Sequence, residues 1–121
     1  MGKFIFHDWQ VYKDARTLRK ELFKLTKKFS PEEKFCLTTQ TNRAALSVML
    51  QIAEGANRKT DKDKALFFNR SYTSVNEIVG YLDAAIDSGY INAEEYAHFI
   101  ELCENIAKQF KGFTKYLNKS A

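Results

Sequence analysis

The chain has few of the residues that interrupt helices or cross-link a fold. Its 121 residues include one proline, five glycines and two cysteines. Scarce proline and glycine leave long, uninterrupted helices possible. The two cysteines have no Cys-x-x-Cys or Cys/His spacing around them, so they form neither a disulfide framework nor a metal site. We expect Cys36 and Cys103 to be small, buried apolar side chains in a reducing compartment.

Long hydrophobic runs are also absent. No apolar segment approaches the roughly 20 residues that a membrane-spanning helix requires. The opening, MGKFIFHDWQ, has neither a long apolar core nor a small-residue cleavage site, unlike a signal peptide. We therefore expect a cytoplasmic protein that does not contact a membrane.

The motifs of common catalytic sites are missing too. The sequence contains no GxSxG, HExxH, Walker or GxGxxG motif. His7 and His98 are far apart in the chain, and Glu94, four residues before His98, makes one helix-face pair rather than a metal site. No arginine stands four to six residues before either histidine, as it does in some helical-bundle ribonucleases. The sequence predicts no enzyme, no cofactor and no bound metal.

Four stretches carry apolar or small residues at spacings of three and four. Such spacing places side chains on one face of an α-helix, and that face has to be buried. The predicted helices span 9–28, 31–55, 61–88 and 92–118, and the first and third connections are too short to cross a bundle. We predict an all-α, antiparallel up-down-up-down four-helix bundle that forms a single domain over 1–121. The four faces comprise Val11, Ala15, Leu18, Leu22, Leu25 and Phe29; Phe35, Thr38, Asn42, Ala45, Met49, Ile52 and Ala56; Phe68, Tyr72, Val75, Val79, Leu82 and Ile86; and Tyr96, Phe99, Cys103, Ile106, Phe110, Phe113 and Leu117.

Residues with helix-capping chemistry mark the expected boundaries. Side-chain oxygens at these positions accept hydrogen bonds from the first backbone N–H groups of a helix. Gly55 is expected to end the second helix in a left-handed conformation. The predicted caps, in helix order, are Asp8, Ser30, Thr60 or Asp61, and Asn92.

Further apolar residues lie outside the four faces, mainly on the second and third helices. One bundle core of this length cannot enclose them all, which favours a homo-oligomer. The alternative is a thick monomeric core with a few exposed aromatic side chains. The predicted interface residues are Leu46, Leu50, Phe67, Ile78 and Tyr81.

Polar residues also recur at helical spacing along helices two and three. With a turn near residue 59, Arg43 lies level with Glu77, and Glu54 within about a turn of Arg70. This predicts two interhelical ion pairs, since buried charges need partners; the alternative is a polar pocket at a subunit boundary. The residues given a structural polar role are Gln40, Arg43, Ser47, Glu54 and Glu77.

Positive charge is concentrated in the terminal parts of the chain. The formal net charge is +4, and residues 1–31 hold eight Lys or Arg against three Asp or Glu. A bundle brings the start of helix one, the loop near residue 60 and the end of helix four to one end. We predict a basic end that contacts nucleic-acid phosphates without reading bases; the alternative is a solvated surface. The predicted nucleic-acid-binding residues are Lys13, Arg16, Lys20, Arg58, Lys59, Lys62, Lys108, Lys111 and Lys115.

Two long segments of the chain carry specific motifs. The segment FSPEEKFCLTTQTNRAALSVMLQIAEGANR (29–58) is similar to the pattern F-P-x-E-E-x-x-x-L-x-x-Q-x-x-R-A-x-x-S-x-x-x-N-I-A-E-G-x-x-R. The segment FFNRSYTSVNEIVGYLDAAIDSGYI (67–91) is similar to F-L-x-x-A-x-G-S-x-x-E-x-x-x-L-x-x-A-x-x-x-G-Y-I. Both patterns belong to a bacterial family of four-helix bundles, the 23S rRNA-intervening sequence proteins, which most of the chain resembles. Departures are Gln51 in place of Asn, Ser30 in place of Pro, and Tyr72-Thr73-Ser74 in place of A-x-G-S. The positions that match are Gln40, Arg43, Ser47, Glu54, Gly55, Arg58, Ser74 and Glu77.

The resemblance implies a small all-α protein with no established enzymatic activity. The related accessory variability determinant proteins of diversity-generating retroelements form pentameric basic barrels that bind a reverse transcriptase and nucleic acid. By that resemblance we expect a homo-oligomer, a pentamer, with RNA or DNA as a partner. The alternative function is a protein–protein interaction module that docks a partner on its extra apolar helix faces and has no nucleic-acid role.

Overall fold

The computed structural model describes residues 4–120, with side chains through 117, and shows a four-helix bundle. Helix α1 spans Gln10–Leu25, α2 Leu37–Ala56, α3 Asp61–Asp87 and α4 Ala93–Ser120. Short 3₁₀ segments cover Ile5–Asp8, Thr26–Lys28 and Pro31–Glu33, and the described residues include no strand. The predicted all-α fold is confirmed; residues 1–3 and 121 of the predicted domain lie outside the described part.

Contacts at the two ends of the bundle show the up-down-up-down order. Trp9, just before α1, packs edge-to-face on Phe68 of α3 at 6.1 Å and lies 6.4 Å from Phe113 of α4, between ring centroids. At the opposite end, Phe29 stacks on Tyr90 at 5.5 Å. We call these the Trp9 end and the Phe29 end. The start of α1, the α2–α3 connection and the end of α4 therefore share the Trp9 end.

The apolar faces of α1 and α4 are buried nearly as predicted. All six α1-face residues are buried, including Leu18 and Leu22, which are at most 1% exposed. On α4, Phe113 is the predicted face residue that reaches the surface, at 36% exposure. In both helices a stripe repeating every three to four residues points into the core.

The predicted face of α2 is wrong by about one position. Phe35 is 86% exposed and precedes the helix, whereas Val48, which the sequence placed off the face, is fully buried. The helix begins at Leu37 because Pro31–Glu33 form a 3₁₀ turn, which Ser30 caps through the Glu32 amide. The predicted face, which begins at Phe35, therefore lies about one residue away from the face that α2 buries. The residues that α2 buries are Leu37, Thr41, Ala44, Ala45, Val48, Ile52 and Gly55.

Two of the predicted interface residues belong instead to the core of the single chain. Ile78 is 0% exposed and Phe67 is 8% exposed. Ile78 follows Val75 and precedes Leu82 on the same buried stripe of α3. The hydroxyl of Ser71 donates to the Val48 carbonyl at 2.7 Å, so a small side chain separates α2 from α3 there. The two helices therefore pack closely enough to bury Phe67 and Ile78 within the single chain.

Of the four predicted caps, two are confirmed, Ser30 caps the 3₁₀ turn instead of α2, and Asp8 is wrong. The Thr60 hydroxyl accepts from the Asp63 amide at 3.1 Å. Asn92 and Glu95 form a reciprocal capping box, with hydrogen bonds of 2.8 and 2.9 Å. Asp8 does not cap α1, because it lies in the preceding 3₁₀ segment and Trp9 occupies the cap position without a side-chain hydrogen bond.

Gly55 and Cys36 also differ from expectation. The helix α2 continues through Gly55 to Ala56, and among residues 4–120 the glycine with a positive φ is Gly89, at 78°. Gly55 is needed for close packing instead: a Cβ there would lie 2.8 Å from Phe68 Cε1. Cys103 is buried as predicted, but Cys36 is exposed because it precedes the first turn of α2.

Candidate nucleic-acid surface

The outer face of α1 carries a continuous group of basic side chains. Lys13, Arg16 and Lys20 are all exposed. Together with Arg19 they line an open groove of about 410 Å³, which Met49 of α2 borders on one side. Among the described side chains, no acidic group lies within ion-pair distance of these residues. Their positive charge is therefore available to an anionic ligand.

A second basic group lies at the Trp9 end, around the α2–α3 connection. Arg58, Lys59 and Lys62 are exposed there, as predicted for a basic end. The guanidinium carbon of Arg58 lies 4.2 Å above the centre of the Phe67 ring, and Arg58 Nη2 is 3.9 Å from Glu54 Oε2. This arrangement fixes Arg58 more firmly than its two lysine neighbours.

The basic residues of α4 face a surface of mixed charge. Lys108, Lys111 and Lys115 are exposed. Lys108 and Lys111 line a wide depression of about 840 Å³ together with Glu101 and Glu104. These acidic neighbours make the α4 surface less favourable to a polyanion than the α1 groove.

His98 also lines this depression, and it links two helices. Its Nε2 is 3.0 Å from Glu21 Oε1 on α1, so its partner is Glu21 and not Glu94, four residues before it in the sequence. The contact joins α1 to α4 at the surface.

Three of the five predicted interface residues lie at the surface of the chain. Leu46 is 39% exposed and Leu50 is 49% exposed, while Tyr81 is half-buried. Leu66 of α3, which the sequence reasoning did not select, is 47% exposed. Burial of Phe67 and Ile78 leaves a smaller apolar surface than the sequence predicted.

Polar residues between α2 and α3 line a shallow pocket of about 150 Å³. The Ser74 hydroxyl donates to Ser47 Oγ at 3.0 Å, which confirms the close approach of the two helices at these serines. Burial and the neighbouring Glu77 carboxylate raise the pKa of Tyr81 above its ordinary value. The residues that line the pocket are Gln40, Arg43, Ala44, Ser47, Ser74, Glu77 and Tyr81.

The two predicted interhelical ion pairs are wrong. No ion pair among the described side chains joins Arg43 to Glu77. Glu54, near the end of α2, contacts Arg58 of the α2–α3 connection instead of Arg70. Arg43, Glu54 and Glu77 are exposed, so water solvates these charges and burial does not force them to pair.

The described residues show little reactive chemistry. No three His, Cys, Asp or Glu side chains within 4–117 are grouped closely enough to hold a metal ion. Burial raises the pKa of Cys103 to about 12, which keeps this thiol protonated at neutral pH. Within the described chain, no helix is long and apolar enough to cross a bilayer.

Two comparisons with known proteins agree with this architecture. A family model described as 23S rRNA-intervening sequence protein matches residues 7–112. A crystal structure of a protein with unknown function from the S23 ribosomal protein family of Bacteroides thetaiotaomicron is similar to this chain, with a TM-score of 0.80 and 21% identity. The match covers 87% of this chain and 98% of that one, so the two share a fold. None of the curated proteins compared with the chain matches it.

Proposed function

The chain belongs to the 23S rRNA-intervening sequence protein family, and we propose that it is a non-enzymatic, oligomeric accessory protein of the cytoplasm that binds the phosphate backbone of RNA or DNA. The observation that carries this proposal is the α1 groove, with its exposed Lys13, Arg16, Arg19 and Lys20. Neutralising phosphates with such side chains releases counterions, which favours binding at low salt and gives no sequence preference.

Charge-neutralising variants test the proposal. Replacing Lys13, Arg16 and Lys20 with Gln should weaken binding to a labelled RNA more than tenfold and lower the salt slope by about one for each lost phosphate contact. The matched control replaces Lys27, Lys28 and Lys34 with Gln. It removes the same charge from exposed residues near the Phe29 end, away from the groove. Fluorescence anisotropy measures both affinities, and equal losses in the two variants would argue against the groove.

The oligomeric state is the second part of the proposal. Exposed Leu46, Leu50 and Leu66 provide apolar surface on α2 and α3, and the resemblance to the accessory variability determinant proteins favours a pentamer. Light scattering coupled to size exclusion should give five times the mass of the chain. A monomeric mass at micromolar concentration would remove the pentamer from the proposal.

The exposed leucines also favour a second function, a protein–protein interaction module with no nucleic-acid role. Replacing Lys13, Arg16 and Lys20 with Glu separates the two. A nucleic-acid-binding protein should lose affinity for RNA, because three charges of the α1 groove are reversed. A module that docks a protein on Leu46 and Leu50 should keep its partner in this variant and lose it when both leucines become Ser.

A further inference from the structure

We propose that Arg58 and Arg70, whose guanidinium groups both lie over the ring of Phe67, form a phosphate-binding site at the Trp9 end. The guanidinium carbons lie 4.2 Å and 4.8 Å from the centre of that ring. The inference deepens the proposed function. It rests on that function for one point, that the phosphate belongs to a nucleic-acid backbone.

The ring of Phe67 is a rigid support for the two arginines. Phe67 is 8% exposed, because α2 packs against it at Gly55 and the two guanidinium groups cover its ring. Its Cβ lies 3.0 Å from the position that a Cβ on Gly55 would occupy, which shows how closely α2 and α3 approach there. The amide of Arg58 donates to the Gly55 carbonyl at 3.2 Å, which holds the connection against the end of α2. One buried side chain therefore positions two arginines from different parts of the chain.

Stacked guanidinium groups retain the donors that bind phosphate. A guanidinium that lies on an aromatic ring uses its flat face and leaves its N–H edges for a bidentate hydrogen bond. Because stacking restricts the rotation of both side chains, less conformational entropy remains to be lost on binding. Both arginines are exposed, so a ligand can reach them from solvent.

The charges around the pair favour a directed contact over a general attraction. Arg58 has one carboxylate near it, Glu54 at 3.9 Å, and both side chains of this pair are about half exposed. Such a solvated pair is weak and leaves most donors of Arg58 available. No ion pair among the described side chains involves Arg70. Lys59 and Lys62 add positive charge, whereas Asp61 and Asp63 in the first turn of α3 offset it.

The test follows arginine Nε–H resonances of the wild-type protein by NMR during titration with pyrophosphate at constant ionic strength. The proposal predicts saturable shifts of Arg58 and Arg70 that exceed those of Arg43, an exposed arginine of α2 with no aromatic ring partner in the described structure. The variant with Arg58→Lys and Arg70→Lys keeps the charge and should bind pyrophosphate at least tenfold more weakly. Absence of saturable shifts, or equal shifts at all three arginines, would overturn the site. The wild-type result does not depend on whether the variant folds.

A parallel titration with RNA identifies the source of the phosphate. The double lysine variant should lose about tenfold in RNA affinity, whereas Lys59→Gln with Lys62→Gln should lose less despite removing two charges. RNA affinity that is unchanged in the double lysine variant, with pyrophosphate binding reduced, would overturn the assignment to nucleic acid. A wild-type protein that binds pyrophosphate at these arginines but no RNA would contradict the proposed function and leave the phosphate site standing.

Discussion

Gly55 allows α2 and α3 to approach each other at the Trp9 end. The added Cβ of any other residue would lie 2.8 Å from Phe68 Cε1 and 3.0 Å from Phe67 Cβ. Both phenylalanines are buried, so neither ring can move away freely. This contact gives a physical reason for glycine at a position inside a helix, where its own propensity is poor.

Replacing Gly55 with Ala should therefore destabilise the protein. Overpacking a core costs about 1–3 kcal/mol and the better helix propensity of Ala returns about 1 kcal/mol, so a net loss of about 1 kcal/mol is expected. Gly80→Ala is the control, because nothing lies within 4 Å of a Cβ there. It should stabilise α3 by about 0.5–1 kcal/mol. Urea unfolding followed by circular dichroism gives both values, and a G55A protein as stable as G80A would contradict the packing argument.

Glu95, in the first turn of α4, contacts the 3₁₀ segment that follows α1. Lys28 donates to its carboxylate and the Asn92 amide donates to the same group, and these hydrogen bonds lower the pKa of Glu95 below its ordinary value of 4.5. A carboxyl with a lowered pKa in the folded state stabilises the fold above its unfolded pKa. That stabilisation is lost as the pH falls through the folded pKa.

Glu95→Gln should lower the melting temperature at pH 7 and have progressively less effect as the pH falls below 4.5. An exposed ion pair of this kind contributes about 0.5 kcal/mol, so the shift should be a few degrees at most. The neighbouring Glu94, which is exposed and forms no ion pair among the described side chains, provides the control variant Glu94→Gln. A Glu95→Gln effect that is constant from pH 7 to pH 3 would refute the linkage.

At the scale of the helices, α1 and α4 could be predicted closely and α2 and α3 only in part. The fully buried residues of α1 and α4 form one stripe at spacings of three and four on each helix, so the buried face follows from periodicity. On α2 the irregular segment before Leu37 contributed Phe35 to the pattern and shifted the face. On α3 the buried stripe that holds Val75 and Ile78 is widened by Phe67 and Ser74, which are buried beside it. Periodicity cannot tell such a wide buried face from a face shared with another subunit.

The candidate nucleic-acid surface could also be predicted only in part. Basic side chains on the polar face of a helix are expected to be exposed, and Lys13, Arg16 and Lys20 are exposed in the structure. Arg70 was not selected, although it lies three residues after Phe67 and hence on the same face of α3. The close approach of Phe67 to Gly55, which brings Arg58 over the Phe67 ring, depends on packing between helices and is not visible in the sequence.

The contact between α2 and α3 should owe its stability to apolar packing, not to charge. Ile78→Ala should cost about 2–5 kcal/mol, because the residue is fully buried and leaves a cavity. Arg43→Ala should cost less than about 0.5 kcal/mol, because Arg43 is exposed and has no described ion-pair partner. Equilibrium unfolding measures both, and a loss above 1 kcal/mol for Arg43→Ala would restore the predicted pairing with Glu77.

For the molecule as a whole, the distribution of charge matters more than its net value of +4. The exposed groove of α1 and the Arg58–Arg70 pair carry positive charge, whereas acidic residues border the lysines on α4. An anionic polymer should therefore bind along α1 and around the Trp9 end. If copies of the proposed oligomer place these surfaces side by side, the field that each phosphate experiences increases.

The most direct test of this account is the affinity of the wild-type protein for a single-stranded RNA between 50 and 200 mM salt. Contacts from Lys13, Arg16 and Lys20 alone predict that log K falls against log salt with a slope of about −2, and contacts from Arg58 and Arg70 would make it steeper. An affinity that stays constant over this range, or no binding at the lowest salt, would contradict the proposal that this family member binds the nucleic-acid backbone.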